Sequence, residues 1–432
     1  MTRRAALGAL IAWSLVSAPN LEAAPKARQI SYYYDGFKQT VRPFTRKLDL
    51  AAGLREVSGN RLEAANVDDH DQVRLPSTWW TPRVGHQPVS AADMIAGAGG
   101  EASPRLPWTI VKAKSQGVSP GFQILDANGV RWAIKFDPPD LPELTTAADV
   151  ITSKIYWAAG YNVPHNVIVT FRRDEVHVKP KLQYKDPLKG LLPVTEATID
   201  EWLGRVAHRE DGSWRAVASR FLDGKPLGEI DFEGRRKDDP EDLIPHERRR
   251  ELRGMWAINA WLSHDDCSSR NTLDLWVTEN GRSFVRHYFL DFSGTLGAAS
   301  ITRHSKRAGH EFLLDFGVAL GNMATLGLVR PSWEHAVDPR LTGVGFIDAA
   351  TFDPGRWRPF LPNAAFDART ERDIRWGAGI IAGFDESLIR AAVQQGRLSD
   401  PRSEDYLVKI LLERRDRMAA RWLDRPLAHS EP

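Results

Sequence analysis

A single cysteine, Cys267, in 432 residues rules out an internal disulfide whatever the compartment. Past the first twenty residues no apolar stretch approaches transmembrane length, so no stable membrane span is expected. Charge of one sign is also missing: the net is +2 with 26% charged residues, and basic side chains are scattered among acids. No global field steers nucleic acid to such a chain, and no basic strip interleaved with aromatics is present. Internal repeats are absent. What the chain does have is fifteen Trp and seventeen Phe, the composition of a chain built to pack. At this length it can bury a large core, in two lobes or domains.

The N-terminus has the layout of an export signal. Thr2-Arg3-Arg4 precede an apolar stretch from Ala5 to Ala18, with small residues at Val16-Ser17-Ala18 and Glu22-Ala23-Ala24. The paired arginines resemble a twin-arginine signal, although Ala6 and Gly8 depart from the usual pattern. The expectation is a periplasmic or extracellular protein with a signal over residues 1–24. An N-terminal extension follows over 25–105, then a small lobe over 106–222 and a larger lobe over 223–432. The extension has weak periodicity. Its adjacent Trp79 and Trp80 read as a packing plug, and Ala96-Gly97-Ala98-Gly99-Gly100 as a flexible joint.

From Trp108 the pattern turns to strands. Trp108–Val111 and Phe122–Leu125 flank a Gly-containing loop, and Asp126-Ala127-Asn128-Gly129 is a hairpin turn into Val130–Phe136. A helix is expected over Asp149–Ala159, stopped by Gly160. Strands follow at Val167–Phe171 and Val217–Leu222. Three helices are expected in the second lobe, over 246–262, 385–395 and 403–423.

The chemistry concentrates in His264-Asp265-Asp266-Cys267-Ser268-Ser269-Arg270-Asn271 and, twenty residues after that asparagine, Asp291-Phe292-Ser293-Gly294. Phosphoryl transfer requires a carboxylate beside the incoming hydroxyl and oxygen ligands for the metal on the phosphates. Asp266 can be the first, and Asn271 and Asp291 the second. The intervening segment reads as a hairpin, Thr272–Val277 and Val285–Leu290 around Glu279-Asn280-Gly281, which places both ligand residues at one mouth. Lys135, in Ala133-Ile134-Lys135-Phe136, is a lysine in a half-buried strand, and an α/β-phosphate is an anion that would repay its burial. Gly117 and Gly121 bracket a loop whose amides could approach phosphate oxygens, though an ordinary hairpin loop has the same composition. Two acids could hold the lysine, Glu143 and Asp149; Asp149 is preferred because it opens the amphipathic segment, a position that equally suits a helix N-terminal residue. Other chemistries fit less well. A zinc site at His264 to Cys267 lacks a second cysteine or an H-x-x-x-H pair, and a Cys267 nucleophile would face two adjacent aspartates.

H-x-D-x-x-x-x-N followed by D-F-S-G, with Lys135 in W-A-I-K-F, resembles the protein-kinase-like superfamily, nearest to the HipA-like and lipid-kinase-like branch. The resemblance runs from about Trp108 to Gly297. It implies an α+β bilobal fold: a small antiparallel-sheet lobe with one helix, a mostly helical second lobe, and here an N-terminal extension. It implies ATP and Mg²⁺, bound through Lys135, Asp149, the Gly117–Gly121 loop, Asn271 and Asp291, with Ser219–Leu222, including Phe221, as the hinge against the adenine. The acceptor would be a protein or small-molecule hydroxyl. The sequence departs from the family in its irregular glycine loop, in the serine that interrupts Asp-Phe-Gly and in lacking an A-P-E segment after Gly297. A non-catalytic kinase-fold scaffold is therefore the alternative, and a metal-dependent hydrolase using Asp265, Asp266 and Asp291 a third.

Overall fold

The computed structural model describes residues 24–28, 41, 62–113, 121–186, 189–312, 323 and 331–424. The expected export signal, apart from its last residue Ala24, and Gly117 lie outside the described residues. Among those described, helix α1 spans Ala91–Ala96 and is followed by strands β1 (Trp108–Ala113), β2 (Gly121–Leu125) and β3 (Arg131–Lys135). Helix α2 (Leu144–Ala158), strands β4 (Asn166–Phe171), β5 (Val176–Val178), β6 (Gln183–Asp186) and β7 (Gly190–Pro193), helix α3 (Glu196–Leu203) and strand β8 (Trp214–Arg220) come next. Strand β9 (Lys225–Gly228), helix α4 (Arg250–Leu262) and strands β10 (Thr272–Glu279) and β11 (Arg282–Phe289) lead into the helices α5 (Ala364–Asp367), α6 (Glu371–Ala382), α7 (Glu386–Gln394) and α8 (Pro401–Trp422).

Two apolar cores make the chain bilobal. The small lobe is a six-stranded sheet of order β4-β8-β3-β2-β1-β5, antiparallel except where β5 runs alongside β1. Alternation along β3 sends Trp132, Ile134 and then Phe136 into the core under this sheet, and leaves Ala133 and Lys135 on the opposite face. The Asn128-Gly129 turn joins β2 to β3 as expected, with Gly129 at φ +77°. The larger core gathers α4, α6, α7 and α8. All thirteen residues of α4 are buried, including Arg250, Glu251 and Arg253, so this helix runs through the lobe's centre. Its charges persist there because they are paired: Arg250 Nε lies 2.8 Å from Asp373, and its Nη2 lies 2.6 Å from Asp71. The α+β bilobal fold expected from the sequence is therefore observed.

Three local expectations change. Helix α2 starts at Leu144, five residues before Asp149, because Asp137 caps it from outside: Oδ1 accepts from the backbone N–H of Thr145 and Thr146 at 2.8 and 2.9 Å. Asp149 thus lies within the helix, and the N-terminal role open to it from sequence does not apply. The Gly97–Gly100 stretch is a close-packing site. A Cβ on Gly97 would come within 2.8 Å of the Lys154 side chain, and one on Gly99 within 2.2 Å of His165. Strand β8 starts at Trp214 and ends at Arg220, before Phe221.

The tryptophan pair of the extension is a plug, as its composition suggests. Trp79 stacks on His287 with centroids 3.5 Å apart, and Trp80 Nε1 donates to the Ala159 carbonyl at 2.8 Å. Both side chains belong with the larger lobe's packing.

Candidate active site

Lys135 ends strand β3, and its side chain joins helix α2 to the turn that follows β11. Its Nζ donates to Asp149 Oδ2 at 3.1 Å and to Asp291 Oδ1 at 2.8 Å. One partner lies on α2 above the lysine, and the other follows the β10–β11 hairpin of the larger lobe. Burial opposes the charge on Lys135, but the two carboxylates outweigh it and hold its ammonium above the ordinary lysine value.

Asp149 is fully buried, and burial raises its carboxyl above the usual carboxylate range against the pull of Lys135. Its remaining oxygen accepts from Asn166 Nδ2 at 2.9 Å and from the Phe292 backbone N–H at 3.3 Å. Strand β4, helix α2 and the Asp291–Gly294 turn are thereby tied to one carboxylate. Glu143, the other candidate acid, turns away and accepts from Ser399 N–H and Oγ–H at 2.9 and 3.0 Å.

Asp291 has φ +56°, a left-handed conformation that Asp tolerates better than most residues. The sharp turn brings its carboxylate back toward Lys135, where Ser293 Oγ also donates to Oδ1 at 2.7 Å. The serine interrupting Asp-Phe-Gly is thus a hydrogen-bond partner of the aspartate. Asn271 and Asp291 flank the paired ends of the β10–β11 hairpin. Thr272 pairs with Phe289 in the β10–β11 register, and the Leu290 N–H donates to the Asn271 carbonyl at 2.8 Å.

Asp266 sits in the loop between α4 and β10. Asn271 Nδ2 donates to its backbone carbonyl at 2.7 Å, closing the loop on itself. Burial pushes the Asp266 carboxyl up to about 6, with the Asn271 amide and Arg270 acting against it. His264 braces the loop from below: it is buried, it packs edge-on to Tyr156 at 5.9 Å, and burial lowers its imidazole to about 4, so it is neutral. Burial pushes the Cys267 thiol up, away from the low range a nucleophilic thiolate needs. Among the described residues no group of three or more His, Cys, Asp or Glu side chains could hold a metal by themselves.

Gly121 is the cross-strand partner of Lys135. Phe221 stands apart from the others. Its backbone N–H donates to the Arg131 carbonyl at 3.0 Å, and the Arg131 guanidinium lies 4.7 Å from the ring centroid. The ring lines a cavity of about 430 Å³ with Trp157, Tyr161 and Tyr288, a cavity that Lys135, Asp266, Asn271 and Asp291 do not line. Sequence reasoning missed Asn166, which holds the Asp149 carboxylate, and His304, whose Nδ1 lies 3.0 Å from Asp265 Oδ2. Neither sits in a local pattern that announces it.

No protein-family model matches the chain, and no curated protein matches it. Solved structures do. A Golgi casein kinase is 10% identical, with 78% of this chain and 76% of that one covered, at a TM-score of 0.37. The Helicobacter pylori proinflammatory kinase CtkA is 12% identical, with 73% and 96% covered, at 0.39. The Golgi casein kinase with Mn/ADP bound is 11% identical, with 77% and 76% covered, at 0.31.

Proposed function

We propose that the chain is an exported atypical kinase, of the HipA-like or lipid-kinase-like branch, that transfers the γ-phosphoryl group of ATP to a hydroxyl acceptor. The observation that carries this is the bridge from Lys135 to both Asp149 and Asp291. A buried helix acid holds a strand lysine, and the same ammonium meets the carboxylate that follows the large-lobe hairpin. A lysine so held is positioned for the α/β-phosphates of a nucleotide. Export is supported by Arg3-Arg4 and the apolar stretch that follows.

Asn271 and Asp291 suit a hard divalent cation such as Mg²⁺. They offer an amide and a carboxylate oxygen with no sulfur or imidazole, and the Asp291 side chain is 40% exposed, which leaves room for water and phosphate oxygens. When bound, the cation would neutralise phosphate charge. In this proposal Lys135 orients the phosphates, Asp149 orients Lys135, and Asp266 accepts the proton of the incoming hydroxyl. A carboxyl at about 6 is ionised at neutral pH yet basic enough to share that proton. Asp265 is engaged with His304, so a hydrolase centred jointly on Asp265, Asp266 and Asp291 fits less well.

The test is Mg-ATP binding by thermal shift, together with ATP turnover, for wild type, Asp266→Asn and Asp291→Asn. Turnover should fall by about 10²–10⁴ in Asp266→Asn, with the thermal shift kept. Asp291→Asn should lose the Mg²⁺-dependent part of the shift. Equal turnover in all three defeats the assignment, and nucleotide binding without turnover in wild type makes the chain a non-catalytic scaffold.

A further inference from the structure

A second cavity, of about 530 Å³, opens directly on Asp266. Its wall is largely the chain after Gly294, closed at one side by Phe360. His304 lies in that wall with only 6% of its side chain exposed. Asp265, the residue before Asp266, has its Oδ2 3.0 Å from that ring's Nδ1; a proton on Nδ1 would face this carboxylate and leave Nε2 as an acceptor. Nε2 is buried with no hydrogen-bond partner among the described residues. A buried polar atom left without a partner is costly, and such atoms mark places where a ligand or water completes the structure.

The charge pattern narrows the ligand. Arg270, Arg303 and Arg307 line the cavity together with Asp265, Asp266 and Glu311, so guanidiniums and carboxylates balance in number. Much of that charge is internally paired: Arg303 with Asp338 at 2.9 Å and Arg307 with Glu311 at 2.7 Å. A balanced wall gives no preference to a strongly anionic or cationic ligand. It presents alternating donors and acceptors, which suits hydroxyl groups that each do both. Phe312 and Phe360 add apolar faces for the C–H side of a ring. The volume is that of a small-molecule site. A lone serine or threonine side chain brings one hydroxyl, whereas Asp266 and His304 Nε2 each call for a donor.

We infer that this cavity is the acceptor site and binds a small neutral polyol of sugar or cyclitol type, with one hydroxyl on Asp266 and a second donating to His304 Nε2. This rests on the kinase proposal for Asp266, but the polyol pocket can be tested without phosphoryl transfer. His304→Asn is the informative variant, because its Nδ2 stands where Nδ1 was and can still donate to Asp265 while the Nε2 acceptor is gone. Phe360→Leu is the second variant: it removes an aromatic face from a half-exposed position and leaves the Asp265–His304 bond untouched.

The full-length protein is titrated with methyl α-D-glucopyranoside, myo-inositol and N-acetylserine amide by saturation-transfer NMR, with Tm recorded for each variant. At least one polyol should bind wild type about tenfold more tightly than the serine amide. His304→Asn should weaken that binding about tenfold at unchanged Tm, and Phe360→Leu should weaken it as well. No polyol binding above that of the serine amide, or equal polyol binding in wild type and both variants, overturns the inference. A parallel Mg-ATP titration separates the two proposals: polyol binding that depends on His304, with no nucleotide binding, keeps the pocket and removes the kinase.

Discussion

Replacing Lys135 with Met removes one ammonium and keeps most of its volume, so the loss is electrostatic. Two carboxylates lose a partner, and they lose unequally. Asp291 is 40% exposed and water can take over much of the role of Lys135, so its share is small. Asp149 is fully buried, and stripping the partner from a buried charge costs about 3–5 kcal/mol in general. Here Asn166 and the Phe292 N–H still donate to Asp149, which brings the expected loss to about 2–4 kcal/mol. The penalty should depend on pH, with a definite sign. Burial already raises the Asp149 carboxyl, and without Lys135 it rises further. Between the ordinary carboxylate value and that raised value, the folded variant holds a proton that the unfolded chain has released. Stability then falls by about 1.4 kcal/mol per pH unit as pH rises through that window. Urea unfolding followed by tryptophan fluorescence at pH 5 and pH 8 reads this directly. Lys135→Met should be destabilised at both, and more at pH 8, with the slope of the transition unchanged. A loss below about 1 kcal/mol that is the same at both pH values would refute the account of Asp149 as a buried, lysine-dependent carboxylate.

Other perturbations have equally definite outcomes. With the Asp266 carboxyl at about 6, phosphoryl transfer should drop tenfold per pH unit below that value and level off above it, read as a pH–rate profile. Gly160 has φ +107°, and a Cβ there would sit 2.1 Å from Trp80 Nε1 and 2.5 Å from the Thr81 carbonyl. Gly160→Ala should therefore cost about 2–4 kcal/mol in urea unfolding and release the Trp80 plug. Arg250→Met leaves the buried Asp373 with Arg253, 3.3 Å away, and the Thr370 N–H and hydroxyl donors, and should cost about 2–4 kcal/mol by the same assay. It should also make the segment around Asp71 more open to proteolysis, because that segment is held through Arg250.

The legible parts of the molecule were those with short-range causes. Period-two alternation in Val130–Phe136 marked β3 and placed Lys135 on the face away from the core. The Asn280-Gly281 turn fixed the β10–β11 hairpin, and the hairpin put Asn271 and Asp291 at one end. Capping misled where the cap came from a distance. Glu143, next to the start of α2, has φ +68° and makes no cap bond, while the cap itself is Asp137. Residues 62–107 offered no period because Trp79 and Trp80 enter the larger core singly. Helix α6 carries a local signal, Thr370 and Asp373 forming a capping box before an apolar run, yet it lies outside the three helices expected for this lobe. The glycines at 97 and 99 looked like a joint because composition reports conformational freedom and is silent about Lys154 and His165 pressed against them.

By itself, then, the amino-acid order determined which residues could bear charge, turn or alternate, and so supplied Lys135, Asp266, Asn271 and Asp291 together with the strand and hairpin that present them. Only the tertiary structure decided which acid holds the lysine, that Phe221 faces a different cavity, and that His304 lies beside Asp265. Those outcomes depend on contacts between segments far apart in the chain. Their energies come from burial and from the pairing of desolvated charges, and no short window of sequence contains both partners.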